Sequence, residues 1–263
     1  MYSITIRFYE ELNDFLPAGM RKRDIPFSFN GKRSVKDLIE SMGVPHVEVD
    51  LILVNGTSVD FSYIVNDGER ISVYPVFESL DISGVTRLRP SPLRDTKFVL
   101  DVHLRKLAKR MRLLGFDTDY GDHRDDELLA CISERENRIL LTCDRQLLMR
   151  KNVSRGIIIR SRDPEEQIVE VIERLQLRSL IAPFSRCLEC NGIIEDVRPG
   201  QTGFDKIEGS IPPGVLEWCS EYFQCPSCKR IYWRGSHYDR LLDRVNGIMQ
   251  RSRRSIKRQR ETD

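Results

Sequence analysis

Two Cys-x-x-Cys pairs place the strongest constraint on how this chain can fold. They are CLEC at residues 187–190 and CPSC at residues 225–228, separated by 34 residues. Each pair brings two thiolates to one ion from a tight turn, and two pairs supply the four ligands of a closed tetrahedral zinc site. The cost of closing a loop grows only slowly with its length, so the long gap is compatible with a ribbon. We therefore predict a structural zinc ion held by Cys187, Cys190, Cys225 and Cys228.

Two other interpretations of these pairs stay open, namely free buried cysteines and a redox-active disulfide. The chain has seven cysteines, and the four in Cys-x-x-Cys pairs are expected in a reducing compartment to be metal ligands before disulfides. His237 is a possible substitute ligand, although a core or RNA-facing histidine is the more ordinary role for it. The three further cysteines are expected to be small buried hydrophobic residues: Cys131, Cys143 and Cys219.

The first 78 residues show the order strand, strand, helix, strand, strand. YSITIRFY alternates polar and apolar residues, and a second short strand is predicted at residues 25–29. A helix is predicted to begin at Ser34, and an Asn-Gly pair at residues 55–56 predicts a tight turn between two later strands. We predict a β-grasp domain over residues 1–78.

VNGTSVDF followed by NDGERISVYPVF resembles the ubiquitin-like sulfur-carrier proteins. Those carriers work through a free C-terminal Gly-Gly, whereas this chain continues past Phe77 into FESLDISGVTRLRP. The resemblance therefore implies the ubiquitin-like fold without sulfur transfer. A rival interpretation makes this domain a protein-docking module.

A second pattern follows a predicted linker at residues 79–96, which is rich in Ser, Pro and Arg. Strands such as KFVL and RILLT alternate with amphipathic helices over residues 97–182, and Asp163-Pro164 is a strong helix start. This alternation predicts a parallel α/β sheet with helices on its faces. The first of these helices has a basic face made of Arg105, Lys106, Lys109, Arg110 and Arg112.

Acidic residues stand where the predicted parallel strands end. Asp101 ends the first strand and Asp144 follows RILLT, while Asp126 begins the intervening helix. Clustered carboxylates require a cation, and hard oxygen ligands favour Mg²⁺ or Mn²⁺, the ions of metal-dependent phosphodiester hydrolases. Thr142 is a candidate for orienting one of these acids or a metal-bound water. Each acid has an alternative role as a helix N-cap or a solvated loop residue.

FVLDVHLRKLAKRMRLLGFDTDYGD followed by DDELLACISERENRILLTCDRQLL resembles the PIN-like ribonuclease domain named for the C-terminus of the Mut-seven exonuclease. The resemblance implies a PIN-like fold and an active site at Asp101, Asp126 and Asp144. Cys143 departs from that motif, which often has a basic residue there, and a fourth acid has no secure match. RCLECNG through FQCPSCKRIYWRGSHYDRLL resembles the zinc-ribbon extension of the same family. It predicts a ribbon over residues 183–242.

Basic residues concentrate at the C-terminal end. Residues 1–78 contain 8 Lys/Arg and 12 Asp/Glu, whereas residues 240–263 contain 8 Lys/Arg and 3 Asp/Glu. We predict a basic tail over residues 243–263 that contacts RNA phosphates. Basic and aromatic residues alternate after the second cysteine pair, which favours RNA binding there, and the basic face of the first PIN-like helix favours it as well. The predicted RNA-binding residues are Arg105, Lys106, Lys109, Arg230, Trp233, Arg234 and His237. A solvated charge run and packing within the ribbon are the alternatives.

These observations predict an α/β multidomain protein with an N-terminal β-grasp, a central PIN-like parallel sheet and a C-terminal zinc ribbon. The predicted function is endoribonuclease activity that requires Mg²⁺ or Mn²⁺. The alternative is a non-catalytic RNA-binding or ribosome-associated adaptor whose ubiquitin-like domain docks a protein. The sequence shows neither a run of about 20 apolar residues nor a signal peptide, so we expect no membrane contact and a cytoplasmic location.

Overall fold

The computed structural model describes residues 1–75, 88, 96–200 and 202–262, with the backbone alone described at residues 202 and 253–262. Apart from residues 88 and 96, the predicted linker at residues 79–96 lies outside the described residues. The chain forms two compact units. The first comprises Met1–His103 with Arg124–Ile158, and the second comprises Leu104–His123 with Ile159–Asp263.

The N-terminal part of the first unit is a five-stranded β-grasp sheet with one helix. Its elements are β1 (Tyr2–Phe8), β2 (Ile25–Phe29), α1 (Val35–Ser41), β3 (Val49–Val54), β4 (Thr57–Ser58) and β5 (Arg70–Pro75). The strand order is β2-β1-β5-β3-β4, in which β1 and β5 are parallel and the other pairs are antiparallel. This arrangement confirms the predicted β-grasp fold.

Local sequence signals fix these elements. The Ser34 hydroxyl accepts a hydrogen bond of 3.2 Å from the Asp37 amide and caps α1. Asn55 and Gly56 both adopt positive φ, as a tight turn between β3 and β4 requires. The predicted helix start and the predicted turn are therefore both confirmed.

Further strands and helices follow in the central region. They are β6 (Lys97–Leu100), α2 (Arg105–Leu113), β7 (Asp117–Tyr120), α3 (Asp126–Glu136), β8 (Ile139–Thr142), α4 (Arg145–Leu148), β9 (Gly156–Ile158) and α5 (Pro164–Arg174). Within the first unit, β6, β8 and β9 pair in parallel, with Leu100 opposite Leu141 and Leu141 opposite Ile157. Helix α3 packs on β6 and β8.

The β-grasp sheet and the parallel strands of the first unit share one hydrophobic core. Buried residues from β1 to β5 form a single cluster with Val99 of β6 and Leu140 of β8. Buried polar groups add specific ties: Glu48 Oε1 accepts from the Ile158 amide at 2.8 Å, and His46 Nε2 donates to the Val153 carbonyl at 3.0 Å. Packing therefore joins segments that the predicted boundaries at residues 78 and 97 treat as separate domains, and those boundaries stay a prediction.

The second unit contains α2, β7 and α5 together with the C-terminal region. The additional elements are β10 (Glu195–Val197), α6 (Thr202–Asp205), α7 (Pro213–Leu216), β11 (Tyr222–Gln224), β12 (Ile231–Trp233) and α8 (Ser236–Thr262). Strands β10, β11 and β12 form a three-stranded antiparallel sheet in that order. Helix α8 continues across residue 242, where the ribbon was predicted to give way to the basic tail.

Two expectations about individual side chains are wrong. Cys131 and Cys143 are exposed, because Cys131 lies on the outer face of α3 and Cys143 in the loop after β8, whereas Cys219 is half-buried. Arg112 is 4% exposed and does not belong to the solvated basic face of α2. In the part of the chain that the structure describes, no helix has the length and apolarity that a membrane crossing needs.

Candidate zinc site and acidic site

Two knuckles of the same design carry the paired cysteines. In the first, the Cys187 amide donates to the Gly192 carbonyl at 2.7 Å, and in the second the Cys225 amide donates to the Arg230 carbonyl at 3.0 Å. The residue after the second cysteine of each pair has positive φ, 69° at Asn191 and 62° at Lys229. Each chain segment therefore reverses tightly and presents two sulfur atoms on one side.

The four sulfur atoms converge to the size of a zinc site. Cys187 Sγ lies 3.5 Å from Cys228 Sγ, and Cys190 Sγ lies 3.4 Å from Cys225 Sγ. All four lie within 4.8 Å of one another, compared with about 3.8 Å between ligands of a tetrahedron with Zn–S bonds of about 2.3 Å. Among the described residues, these cysteines are the group of three or more potential ligands that could hold a metal ion. Their number, type and spacing fit zinc.

The pKa values of the Cys187 and Cys190 thiols are shifted in opposite directions. Burial raises the pKa of the Cys187 thiol, but the Tyr232 hydroxyl at 3.0 Å and two backbone amides stabilise its thiolate and bring the pKa to about 6. Burial raises the pKa of Cys190 to about 12, so this thiol ionises at neutral pH only when a cation replaces its proton. Burial also raises the pKa of Tyr232, which therefore remains a donor.

The first knuckle is anchored to α2 and β7 by buried polar contacts. The Arg112 guanidinium donates to the carbonyls of Leu188 at 3.2 Å and Glu189 at 2.7 Å, which lie between the first two cysteines, and to Thr118 O at 3.0 Å. The Asn191 side chain accepts from the Thr118 amide at 2.9 Å. The sequence did not identify Arg112 as part of the zinc site, because its two acceptors in the knuckle lie more than seventy residues further along the chain.

Asp101 and Asp144 lie at the carboxyl ends of adjacent parallel strands, as predicted, and both contact Thr142. The Thr142 hydroxyl donates to Asp101 Oδ2 at 2.7 Å and accepts from the Asp144 amide at 2.9 Å. Asp101 is 6% exposed, and its Oδ1 accepts from the His103 amide at 3.2 Å. Among the described residues, each Asp101 oxygen thus accepts one of the roughly two hydrogen bonds that it can accept, so each has a further lone pair that could bind a cation.

Asp144 and Asp126 also have local roles. Asp144 is the N-cap of α4, where its Oδ1 accepts from the Gln146 amide at 2.8 Å. The N-cap of α3 is Asp125, so the neighbouring Asp126 is not used as a cap and lies 3.8 Å from Arg150 in an ion pair. The described residues do not bring Asp101, Asp126 and Asp144 together as a three-ligand group. Their catalytic and metal-binding roles stay predictions, and no fourth acid is assigned.

The residues predicted to bind RNA fall into two sets within the second unit. Four of the basic ones pair with acids. Lys109 and Arg230 lie 3.0 and 3.8 Å from Glu189, Arg105 lies 3.9 Å from Asp122, and Arg234 lies 2.7 Å from Glu221. Lys106 is exposed. The second set lines one pocket beside the zinc knuckles and consists of Trp233, Arg234 and His237. None of these roles is tested by the geometry alone.

Comparison with known proteins identifies two regions. The Mut7-C ubiquitin domain matches residues 1–81, and the Mut7-C RNAse domain matches residues 96–245. The crystal structure of SAMP1 from Haloferax volcanii is 16% identical in sequence and aligns over 30% of this chain and 99% of that chain, with a TM-score of 0.24. No curated protein matches. With more than half of its residues matched, the chain belongs to the Mut7-C RNAse domain family, and it carries a ubiquitin-like domain at its N-terminus.

Proposed function

We propose that this protein is an endoribonuclease that requires Mg²⁺ or Mn²⁺ and uses Asp101, Asp126 and Asp144. The observation that carries the proposal is the Thr142 hydroxyl, which joins the buried Asp101 carboxylate to Asp144 at the edge of a parallel sheet. Ligand sites of open α/β sheets lie at this edge. Membership of a family described as an RNAse domain supports the same chemistry.

The burial of Asp101 and the exposure of Asp144 suggest different roles for these two acids. Asp101 is buried and held by two hydrogen bonds, so it is a rigid oxygen ligand, whereas Asp144 is exposed and accessible to substrate. Asp126 begins α3, which packs on β6 and β8. Mg²⁺ commonly binds through one or two carboxylates and keeps several waters, so Asp101 and Asp144 suffice for one ion. A divalent cation there supplies water activation and stabilises charge on the phosphate.

Zinc has a separate, structural role in this proposal. Four cysteine ligands leave no open coordination position, and the Arg112 contacts tie the first knuckle to α2 and β7. RNA is the proposed substrate, and the exposed Lys106 and the pocket residues are proposed to contact it. The ubiquitin-like domain is proposed to bind a protein partner in addition to its packing role.

A non-catalytic RNA-binding adaptor is the second candidate function. Specific observations favour it, because Asp144 is already a helix N-cap and Asp126 already pairs with Arg150. Under this alternative, Asp101 serves only to order the end of β6. RNA binding would then be independent of divalent ions and would survive the loss of Asp101.

The test is cleavage of a mixed pool of structured and single-stranded RNA by the purified, zinc-loaded protein with and without Mn²⁺. We expect Asp144→Asn to abolish cleavage while leaving the helix cap, since asparagine caps about as well as aspartate. The matched control is Asp60→Asn. Asp60 Oδ1 accepts from the Ser62 amide at 2.8 Å in the same two-residue geometry, but it lies in the ubiquitin-like domain. Equal cleavage by both variants would refute the assignment of Asp144.

A further inference from the structure

A pocket of about 320 Å³ lies beside the zinc knuckles within the second unit. Aromatic side chains form much of its wall, with Phe184 and Tyr238 in contact at 4.7 Å between ring centroids. Tyr232 and Trp233 of β12 also line it, and the start of α8 contributes His237. The knuckle anchors one wall, since the Tyr232 hydroxyl contacts Cys187 Sγ. The pocket is therefore built on the zinc-dependent part of the fold.

The charged side chains that line the pocket indicate which class of ligand it binds. Two arginines and one histidine line the pocket, and no aspartate or glutamate is among its described lining residues. The Arg234 guanidinium lies 5.5 Å from the centroid of the Tyr238 ring and also pairs with Glu221 at 2.7 Å. Arg186 is held by the Asn191 carbonyl at 2.9 Å and by Asp117. A planar ligand that carries negative charge matches this lining.

The volume of the pocket further limits which ligands can enter it. The volume of the pocket lies at the lower end of the roughly 300–1,000 Å³ range of small-ligand pockets. A pocket of this size can hold one planar ring system but is too small for a nucleic-acid duplex to enter. Bases stack on aromatic side chains only when they are unpaired, and cations beside the stack neutralise the adjoining phosphates. A single nucleotide of an unpaired strand combines these two requirements.

We propose that this pocket receives one unpaired base of single-stranded RNA, stacked among Trp233, Tyr238 and Phe184, with its phosphate beside Arg234. The inference rests on the proposed function in that RNA is the substrate, and it adds a preference for an unpaired segment. The pocket then selects where an RNA is bound, independently of the acids that are proposed to cut it.

Tryptophan fluorescence gives a direct test, because the chain has two tryptophans. In the full-length, zinc-loaded Trp218→Leu variant, Trp233 is the remaining tryptophan, and we expect oligoadenylate to quench its emission. Trp218 is 58% exposed and does not line the pocket. The same strand annealed into a duplex should not quench it. Emission that is unchanged by single strands, or quenched equally by duplex, would overturn the inference.

Binding of labelled oligoadenylate, measured by fluorescence anisotropy without added Mg²⁺ or Mn²⁺, supplies the second arm. We expect Tyr238→Leu to weaken binding by about tenfold or more, as loss of one base–aromatic stack does, and Tyr238→Phe to retain it. Tyr120→Leu, which changes a tyrosine of β7 outside the pocket, is the matched control. Wild-type affinity in Tyr238→Leu would also overturn the inference.

The two proposals fail separately. If Tyr238→Leu binds single strands normally while Asp144→Asn loses cleavage, the pocket inference is wrong and the nuclease proposal stands. If no protein cuts RNA but Tyr238→Leu loses affinity and Trp233 is quenched by single strands, the pocket stands and the nuclease proposal fails.

Discussion

Thr142→Val is the substitution that examines the acidic site most closely, because valine keeps the shape of threonine and removes its hydroxyl. Thr142 is 0% exposed and Asp101 is 6% exposed, so water cannot easily replace the 2.7 Å hydrogen bond to the carboxylate. Losing a hydrogen bond to a charged group costs about 1.5–3 kcal/mol. At roughly 2–4 °C per kcal/mol, the unfolding midpoint should fall by about 3–12 °C.

The same substitution should change catalysis beyond its effect on stability. Without the hydroxyl, Asp101 loses the contact that fixes its orientation, and we expect kcat/KM for RNA to fall by about 10–100-fold, as for other groups that orient metal ligands. The Mn²⁺ concentration for half-maximal rate should rise. Thr142→Ser keeps the hydroxyl and should retain activity, with about 0.8 kcal/mol lost for one buried methyl group. Wild-type melting and wild-type Mn²⁺ dependence in Thr142→Val would refute this account of Asp101.

Three further predictions concern the zinc site and the core of the first unit. Gly192→Ala would place a Cβ 2.9 Å from Cys225 Sγ, so zinc affinity measured by chelator competition should fall by about tenfold or more. Gly209 has open space around it, so Gly209→Ala should leave zinc affinity unchanged. Glu48→Ala should lower the unfolding free energy by about 1.5–3 kcal/mol, because it removes the hydrogen bond that the Ile158 amide donates to the buried Glu48 carboxylate, while Glu48→Gln should cost less; equal melting of the two variants would contradict this. Arg112→Met should weaken zinc binding by freeing the first knuckle, and Arg105→Met on the exposed face should not; equal zinc affinity in both would argue against the anchor.

Features that depend on neighbouring residues could be predicted from the sequence. The cap at Ser34, the turn at Asn55 and the Asp163-Pro164 start of α5 each follow from side chains within three positions. The zinc knuckles also belong to this class, since the spacing within each cysteine pair largely sets its geometry. The placement of Asp101 and Asp144 at the ends of adjacent strands followed from the strand pattern and the parallel sheet rule.

Features that depend on distant partners could not be predicted. Helical periodicity assigned Arg112 to the basic face of α2, but its acceptors are carbonyls of residues 188 and 189, which no local pattern identifies. The shared core of the first unit likewise depends on contacts such as His46 with Val153, more than one hundred residues apart. A composition shift at residues 79–96 predicts a linker but does not show what packs on either side of it.

The proposal that the acids at the carboxyl ends of β6 and β8 cut RNA is best tested by Mn²⁺-dependent cleavage, measured for the wild type beside an Asp101→Asn/Asp144→Asn double variant. We expect the wild type to cut only with the divalent ion, and the double variant to bind RNA with unchanged affinity without cutting it. Cleavage by the double variant at the wild-type rate would rule out these acids as the active site. If neither protein cuts any of several RNAs with Mg²⁺ or Mn²⁺ while both bind them, the adaptor function replaces the nuclease proposal.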